Sequence, residues 1–316
     1  MLIEYNQNSN LFTTNQPSDI LQDLLEDKRS PTTRHGYERD LKEFFNFATG
    51  QFPTPEIVQQ FLNLDEFRAK EIVLTYRRWL YSKNLKSATV NRKLAAIKAL
   101  VKYAKRVGKS RYDLTDIKSD KVIPYRDTTG LPATQIKQIL QSPNTNNFQG
   151  KRDYAILRLL WDNALRRSEV VAINIGDINL SDRTIWIKGK GRQDKERITI
   201  NQRTVAALKD YLSMRKGTTT EPLFISISSA NWGERLADDT IYNLVKDTSV
   251  ELGIDKPMSP HKIRHSAITH CLDKSDGDIR KVQQFSRHKN VQTVLVYDDN
   301  RKDYQGQMTD LMGQDF

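Results

Sequence analysis

Six side chains in the second half of the chain have the chemistry to act together on a phosphate ester. They are Arg166, Lys190, His261, Arg264, His288 and Tyr297. A tyrosine hydroxyl can be a nucleophile that forms a covalent intermediate. Guanidiniums, an ammonium and imidazoles supply the hydrogen-bond donors and the positive charge that a phosphoryl transition state needs. The set therefore predicts attack by Tyr297 on a phosphoryl group.

The histidines of this chain are concentrated near its C-terminus. Of five histidines in total, His261, His265, His270 and His288 lie within one C-terminal stretch. Because imidazoles titrate near neutral pH, this clustering indicates a functional site. We expect His265 to be a buried, hydrogen-bonded structural residue, and His270 to lie on the surface or in the packing of its helix.

A metal site is the alternative interpretation of the histidine cluster. His261 and His265 are four residues apart, which is the spacing of two zinc ligands on one helix. However, Lys262 stands where a zinc hydrolase has its catalytic glutamate, and the sequence offers no Cys pair or carboxylate triad nearby. We therefore expect no metal and no other cofactor.

The order and spacing of these residues resemble those of the tyrosine recombinases of the phage-integrase and Xer type. The matching segments are Leu165–Glu169, Lys188–Arg197, His261–His265 and the pair Arg287-His288, which is followed nine residues later by Tyr297. The segment Ser87–Arg92 also resembles the DNA-binding helix of that family. The similarity runs from about Ser30 nearly to the C-terminus.

The resemblance implies a reaction on DNA in which a strand is cut and rejoined. Tyr297 would attack a phosphodiester and leave a 3′-phosphotyrosyl bond and a free 5′-hydroxyl. Free tyrosine has a pKa near 10, so its proton must be removed, and His261 is the expected acceptor. Lys190 is the expected general acid for the 5′-hydroxyl. No metal or nucleotide is needed, since the covalent bond conserves the phosphodiester energy.

Two arginines are expected to bind the non-bridging phosphate oxygens. The resemblance assigns this role to Arg166 and Arg264, with His288 as a further donor. Arg167 is an alternative to its neighbour Arg166. Glu169, three residues after Arg166, fits the family spacing only if Arg166 is the catalytic arginine.

Two positions depart from the family pattern, since Ala164 and Arg287 each stand where a glycine is usual. An arginine at a backbone position with positive φ costs about 1 kcal/mol or more. We therefore expect either a rebuilt turn before His288 or an additional phosphate contact from Arg287.

The composition favours a polyanionic partner. The chain has 316 residues, enough for two domains, and a net charge of +11. This charge suits nucleic acid or an anionic membrane surface, but no apolar run approaches the roughly 20 residues that cross a bilayer. The single cysteine, Cys271, excludes an internal disulfide and fits a reducing compartment. We expect a cytoplasmic, nucleoid-associated protein without a membrane partner.

The periodicity of the apolar residues predicts a mainly α-helical protein with two domains. Thr184–Ile187 and Arg197–Ile200 are the β-type runs, and they predict one small antiparallel sheet. By resemblance, the first domain is a SAM-like core-binding domain that clamps DNA. The expected segments are a flexible lead with one short helix (1–29), the helical core-binding domain (30–115), a linker (116–130) and the catalytic domain with a tail helix (131–316).

A basic stretch without acidic residues lies between Glu71 and Asp113. It holds twelve Lys and Arg residues and no Asp or Glu. Because solvated helices usually interleave both signs of charge, the stretch predicts a surface that follows DNA phosphates. The expected DNA contacts, including three from the second domain, are Arg77, Arg78, Lys86, Thr89, Asn91, Arg92, Lys93, Lys98, Lys102, Lys188, Arg192 and Arg287.

The resemblance also implies the assembly, which is a homotetramer on double-stranded DNA with inverted half-sites. After Tyr297, apolar residues recur at roughly helical spacing (Tyr304, Met308, Leu311 and Met312), and the resulting amphipathic tail helix is expected to dock on a neighbouring protomer. Two alternatives are a monomeric type IB topoisomerase and a non-catalytic DNA-binding regulator.

Overall fold

The computed structural model describes residues 19–122, 130–189, 194–298 and 304–313. The chain divides into two compact units, one on either side of Pro124. Both are mainly helical, which confirms the predicted fold class. None of the helices within the described residues combines the length and the apolar composition that crossing a bilayer requires.

The first unit consists of helices in its described part. Ser30 and Thr54 cap two of them, since their hydroxyls accept from the backbone N–H of Thr33 and Ile57, and a proline follows each cap. The helices are α1 (Ile20–Asp27), α2 (Pro31–Thr49), α3 (Pro55–Leu62), α4 (Glu66–Ser82) and α5 (Ser87–Arg106).

Aromatic residues form the centre of the first unit's core. The ring of Phe44 packs edge-to-face against Phe61 and Tyr76, with centroids 5.2 and 5.3 Å away. Ile20 and Leu24 of α1 are buried in the same core. The short helix expected in the N-terminal lead is therefore a packed part of this unit, whereas residues 1–18 lie outside the described residues.

The second unit combines helices with one small sheet. Its helices and strands are α6 (Ala133–Gln141), α7 (Phe148–Asp162), α8 (Arg167–Val171), β1 (Ile178–Asn179), β2 (Thr184–Lys188), β3 (Lys195–Thr199), α9 (Gln202–Met214), α10 (Asp238–Glu251), α11 (Pro260–Lys274), α12 (Ile279–Ser286), α13 (Gln292–Asp298) and α14 (Tyr304–Gly313).

The sheet is antiparallel with the strand order β1-β2-β3. Ile185 of β2 lies opposite Ile178 on one side and Ile198 on the other. Ile185 is buried and Trp186 is half exposed, as the alternation of side chains along a strand requires. The sequence predicted two of these strands, and the two-residue strand β1 is the addition.

Two clusters of apolar residues hold the second unit together. The larger cluster surrounds α7, which packs against α9 and α11. The smaller cluster joins the break after α7 to the C-terminal helices, through Ala164, Ile268, Val282 and Val294. Tyr297 belongs to this smaller cluster, so the C-terminal helices fix its ring relative to the α7–α8 break.

Candidate active site

Arg166 lies at the break between α7 and α8, and a buried carboxylate holds it there. Glu169 accepts a hydrogen bond from the backbone N–H of Arg166 at 2.9 Å and one from its guanidinium at 2.6 Å. The neighbouring Arg167 instead pairs with Asp238, 2.5 Å away, and with Asp239. The two arginines thus have different partners, because Arg166 is held by Glu169 whereas Arg167 is engaged at the start of α10.

The helix α11 places His261 and Arg264 on one face. Ser259 caps this helix and Pro260 begins it, so both residues lie in its first two turns. Arg264 is buried, and its guanidinium donates to the carbonyl oxygens of Ala164 and Ser286. Burial, followed by the nearby charges of other arginines, lowers the pKa of Arg264 to about 9. It is still a cation at neutral pH.

His288 is bonded through both ring nitrogens. Its Nε2 lies 3.3 Å from Nη2 of Arg264, and its Nδ1 lies 2.9 Å from Oγ of Ser286. Because a guanidinium can only donate, Nε2 accepts and the proton sits on Nδ1. Burial and the charges of Arg264 and Arg166 lower the pKa of His288 to about 4, so the ring is neutral at physiological pH.

Tyr297 is buried between two imidazoles. Its ring centroid lies 4.9 Å from that of His265 and 6.1 Å from that of His288. His265 in turn contacts His261, with 2.7 Å between their Nε2 atoms. Burial and then the charges of Arg264 and Arg166 lower the pKa of His261, which makes its neutral form available as a proton acceptor.

His265 lies closer to the predicted nucleophile than the sequence indicated. We expected a buried, hydrogen-bonded structural histidine; in the structure it is half-buried and hydrogen-bonded, and its ring lies between the phenol of Tyr297 and the imidazole of His261. The signal in the sequence was the four-residue spacing from His261, which puts the two rings on one helix face. His270, by contrast, packs against Trp161, with ring centroids 5.5 Å apart.

The predicted general acid Lys190 and the predicted DNA contact Arg192 lie outside the described residues. The chain is described up to Gly189 on the N-terminal side of Lys190, and Gly189 lines a cleft of about 300 Å³ together with Arg166 and Glu169. The last described residue before Lys190 therefore lies beside the α7–α8 break. Lys188 is exposed at the end of β2.

In the first unit, acidic residues from other helices neutralise part of the predicted DNA-binding surface. Lys93 is buried and forms ion pairs with Asp40 and Glu43 of α2, and its contact with DNA stays a prediction. Arg92 also pairs with Asp40. The stretch is free of acids along the sequence, but packing against α2 supplies them in space.

The segment after α5 engages three further residues that were expected to contact DNA. Asn91 exchanges two hydrogen bonds of 3.0 Å with the backbone of Asp120, which ties it to that segment. Arg77 pairs with the Asp120 carboxylate, and Lys98 donates to the carbonyl of Ile117. Among the described residues we find no ion pair for Arg78, Lys86 and Lys102, which are exposed, and Thr89 is half exposed.

The two positions at which a glycine was expected keep the left-handed backbone that glycine favours. Ala164 has φ of 45° and Arg287 has φ of 57°. The turn is therefore not rebuilt. The buried guanidinium of Arg287 bonds to Glu169 and to the carbonyl oxygen of Asn163, both at 3.0 Å, and its contact with phosphate stays a prediction.

Comparison with known proteins gives consistent matches over most of the chain. A model described as the phage integrase family matches residues 129–303, and one described as the phage integrase N-terminal SAM-like domain matches residues 20–108. Tyrosine recombinase slr0733 of Synechocystis sp. is 48% identical over 305 residues, which cover 96% of this chain and 97% of that protein. Tyrosine recombinase XerC of Thermodesulfovibrio yellowstonii is 28% identical over 299 residues, 92% of either chain.

Solved structures share the fold at lower identity. The XerH site-specific recombinase bound to palindromic difH substrate, in a post-cleavage complex, gives a TM-score of 0.69 at 19% identity. The match covers 93% of this chain and 84% of that one. A lambda integrase dimer bound to a core site gives a TM-score of 0.62 at 13% identity, covering 86% and 93%.

Proposed function

The chain belongs to the phage integrase family of tyrosine recombinases, and we propose that it recombines DNA at a specific site through a 3′-phosphotyrosyl bond at Tyr297. The arrangement around Tyr297 carries this proposal. Its phenol lies between the rings of His265 and His288, and these contact His261 and Arg264. A nucleophile, proton acceptors and a cation thus meet at one point, as phosphoryl transfer requires.

In the cleavage step, the Tyr297 oxygen bonds to phosphorus as the bond to the 5′-oxygen breaks. The phenol proton passes to the neutral imidazole of His261, either directly or through His265, which contacts both rings. The lowered pKa of His261 favours this role because a neutral imidazole is required before the transfer.

Two guanidiniums stabilise the charge that develops on the non-bridging oxygens. Arg264 is fixed by two carbonyl oxygens and Arg166 by Glu169, so neither has to reorganise during the reaction. Preorganised donors of this kind contribute roughly 3–4 kcal/mol each. His288 becomes a donor once the bound phosphate, an anion next to its ring, raises its pKa from the value in the free protein.

Lys190 protonates the departing 5′-oxygen in this proposal. The position of Gly189 in the cleft beside Arg166 supports this assignment, since Lys190 is the next residue. Because the phosphotyrosyl bond conserves the phosphodiester energy, attack by another 5′-hydroxyl reverses the step and completes strand exchange. The reaction balances without a metal or a nucleotide.

We assign binding of the DNA phosphates to residues 30–115 and the cleavage and rejoining of DNA strands to residues 131–316. The substrate is double-stranded DNA with inverted half-sites, and the reaction takes place in the cytoplasm. Four copies of the chain bind this DNA as a homotetramer, in which each protomer docks its tail helix α14 on a neighbouring protomer. The exposure of Met308, Leu311 and Met312 (54, 53 and 66%) supports this, because an apolar face of this kind is stabilised when a partner covers it. Heterologous contacts around four protomers close a ring.

A plasmid assay tests the proposal and separates it from topoisomerase activity. Target sites are first selected from random duplexes with Tyr297→Phe, and two copies of the selected site are placed in a supercoiled plasmid. We expect the full chain to invert or excise the intervening DNA, and a chain truncated after Asp303 to bind one half-site but lose recombination. Relaxation of plasmids that lack the site, by either protein, would instead favour the type IB topoisomerase.

A further inference from the structure

Arg287 occupies a position that would ordinarily favour glycine. It ends helix α12 in the left-handed conformation, with φ of 57° and ψ of 35°. For a residue with a side chain, this conformation costs about 1 kcal/mol or more. An unfavourable backbone at a functional site calls for a compensating contact elsewhere.

The guanidinium of Arg287 provides these compensating contacts, because it is buried and forms hydrogen bonds through both terminal nitrogens, Nη1 and Nη2. Nη2 lies 3.0 Å from Oε2 of Glu169 and 3.4 Å from the carbonyl oxygen of Ala164. Nη1 donates to the carbonyl oxygens of Asn163 at 3.0 Å and Phe285 at 3.2 Å. The side chain therefore links the α7–α8 break to the end of α12.

The groups that Arg287 binds are the supports of the phosphate-binding residues. Glu169, which accepts from Arg287, also accepts from the backbone and the guanidinium of Arg166. The carbonyl of Ala164, which Arg287 approaches, accepts from Arg264 as well. His288 is the residue that directly follows Arg287, so the same side chain also anchors the turn before it.

We propose that Arg287 is a positioning residue for the reaction at Tyr297, which fixes Arg166 through Glu169 and fixes the turn that carries His288. This inference rests on the proposed function of the site. A glycine at this position has no side-chain atoms with which to hold Glu169 or the turn before His288.

The charge balance of the group supports the same role. With a glycine at this position, Glu169 and Arg166 form a neutral pair. With Arg287 present, two guanidiniums share one carboxylate, so the group retains one positive charge beside the phosphate. Burial raises the pKa of Glu169, but the charge of Arg287 and the hydrogen bonds from Arg166 outweigh burial and hold the pKa below its ordinary value.

Arg287→Gly tests the inference with Arg183→Gly as the matched control. Both variants replace an arginine in the left-handed conformation by glycine, but the side chain of Arg183 is exposed in the turn before β2, whereas that of Arg287 bonds to Glu169. In single-turnover cleavage of the selected site, we expect Arg287→Gly to be slower by about 100-fold, the loss that small displacements of catalytic groups produce. Arg183→Gly should stay within about threefold, and Arg287→Lys should recover part of the rate, since an ammonium replaces only part of the fork.

The pH profile distinguishes positioning from mere stabilisation. In Arg287→Gly, Glu169 loses a cation, so its pKa rises and cleavage should fall off at a higher pH on the acidic limb than in the wild type. An unshifted acidic limb together with wild-type cleavage by Arg287→Gly would overturn the inference.

A measurement without DNA keeps the inference separate from the proposed function. In thermal unfolding at neutral pH, the shifts in Tm caused by Arg287→Gly and Glu169→Gln should be non-additive in the double variant, because the two side chains are in contact. Additive shifts would show that the contact does not hold Glu169, and would overturn the inference even if the wild type cleaves DNA. Failure of the wild type to cleave any selected site would contradict the proposed function and, with it, the catalytic role of Arg287.

Discussion

Nε2 of His265 lies 2.7 Å from Nε2 of His261, one helical turn earlier on α11. At this distance one nitrogen donates and the other accepts, so the two imidazoles share a single proton. The tautomer of His261, the proposed acceptor of the Tyr297 proton, is therefore set by His265.

His265→Ala should reduce the rate of cleavage by about 10- to 100-fold, since general acid–base groups contribute on this scale or more. His265→Asn, which retains one donor and one acceptor, should recover part of the rate. His270→Ala is the control, because His270 packs against Trp161. The measurement is single-turnover cleavage of the selected site, and equal rates for the wild type and His265→Ala would contradict this role.

Stability should fall with acidification through His288. Burial and the charges of Arg264 and Arg166 lower the pKa of His288 from 6.5 to about 4 in the folded chain. Between these values the unfolded chain binds the proton and the folded chain does not, so lowering the pH favours unfolding. The contribution is complete above pH 6.5 and is lost as the pH falls towards 4.

In thermal unfolding followed by circular dichroism, the decrease in Tm from pH 7 to pH 4.5 should thus be smaller for His288→Gln than for the wild type. A glutamine carries no titrating group, and its amide can still meet Ser286. An equal decrease in both proteins would mean that His288 is not neutralised by its surroundings.

Lys93 and Lys102 form a matched pair on α5, one buried and one exposed. Removing Lys93 leaves the buried carboxylate of Asp40 with less compensation, so Lys93→Ala should lower the free energy of unfolding by about 3 kcal/mol. Lys102→Ala should change it by less than about 0.5 kcal/mol. Instead, it should weaken DNA binding and reduce the slope of log K against log salt by about 1. The reverse result, with Lys93 governing the salt slope, would place Lys93 on the DNA.

The signals that lie close together in the sequence gave reliable predictions. Ser30-Pro31 and Thr54-Pro55 fixed two helix starts, because a cap and its helix are within three residues of each other. The small antiparallel sheet was also predicted, since β-type runs alternate over a few residues. The catalytic set came from a resemblance, and the structure brings its described members together around Tyr297.

The contacts that depend on distant residues were not predicted from the sequence. Lys93 looked like a phosphate contact because no acid is near it in sequence, yet Asp40 and Glu43 pair with it from another helix. Arg287 was expected either to mark a rebuilt turn or to add a phosphate contact, because it stands where a glycine is usual. Its carboxylate partner Glu169 is 118 residues away, so only the folded chain could show that contact.

Cleavage by Lys190→Ala should be restored by a substrate with a better leaving group. If it protonates the departing 5′-oxygen, a substrate with a 5′-bridging phosphorothiolate should restore cleavage by Lys190→Ala, because a thiolate leaves without a proton. Arg166→Ala is the control and should not be restored, since Arg166 stabilises charge on the non-bridging oxygens. Equal failure of both variants on that substrate would reduce Lys190 to a DNA contact.

The covalent bond to Tyr297 is the claim on which the other predictions depend. The direct measurement uses a nicked suicide duplex with the selected site, followed by denaturing electrophoresis and peptide mass spectrometry of the adduct. We predict an SDS-resistant complex that survives excess EDTA, carries the 3′-phosphate on Tyr297 and is absent from Tyr297→Phe, with Tyr304→Phe as the control that still forms it. An adduct that persists in Tyr297→Phe and maps to another residue, such as Tyr304, would contradict the account.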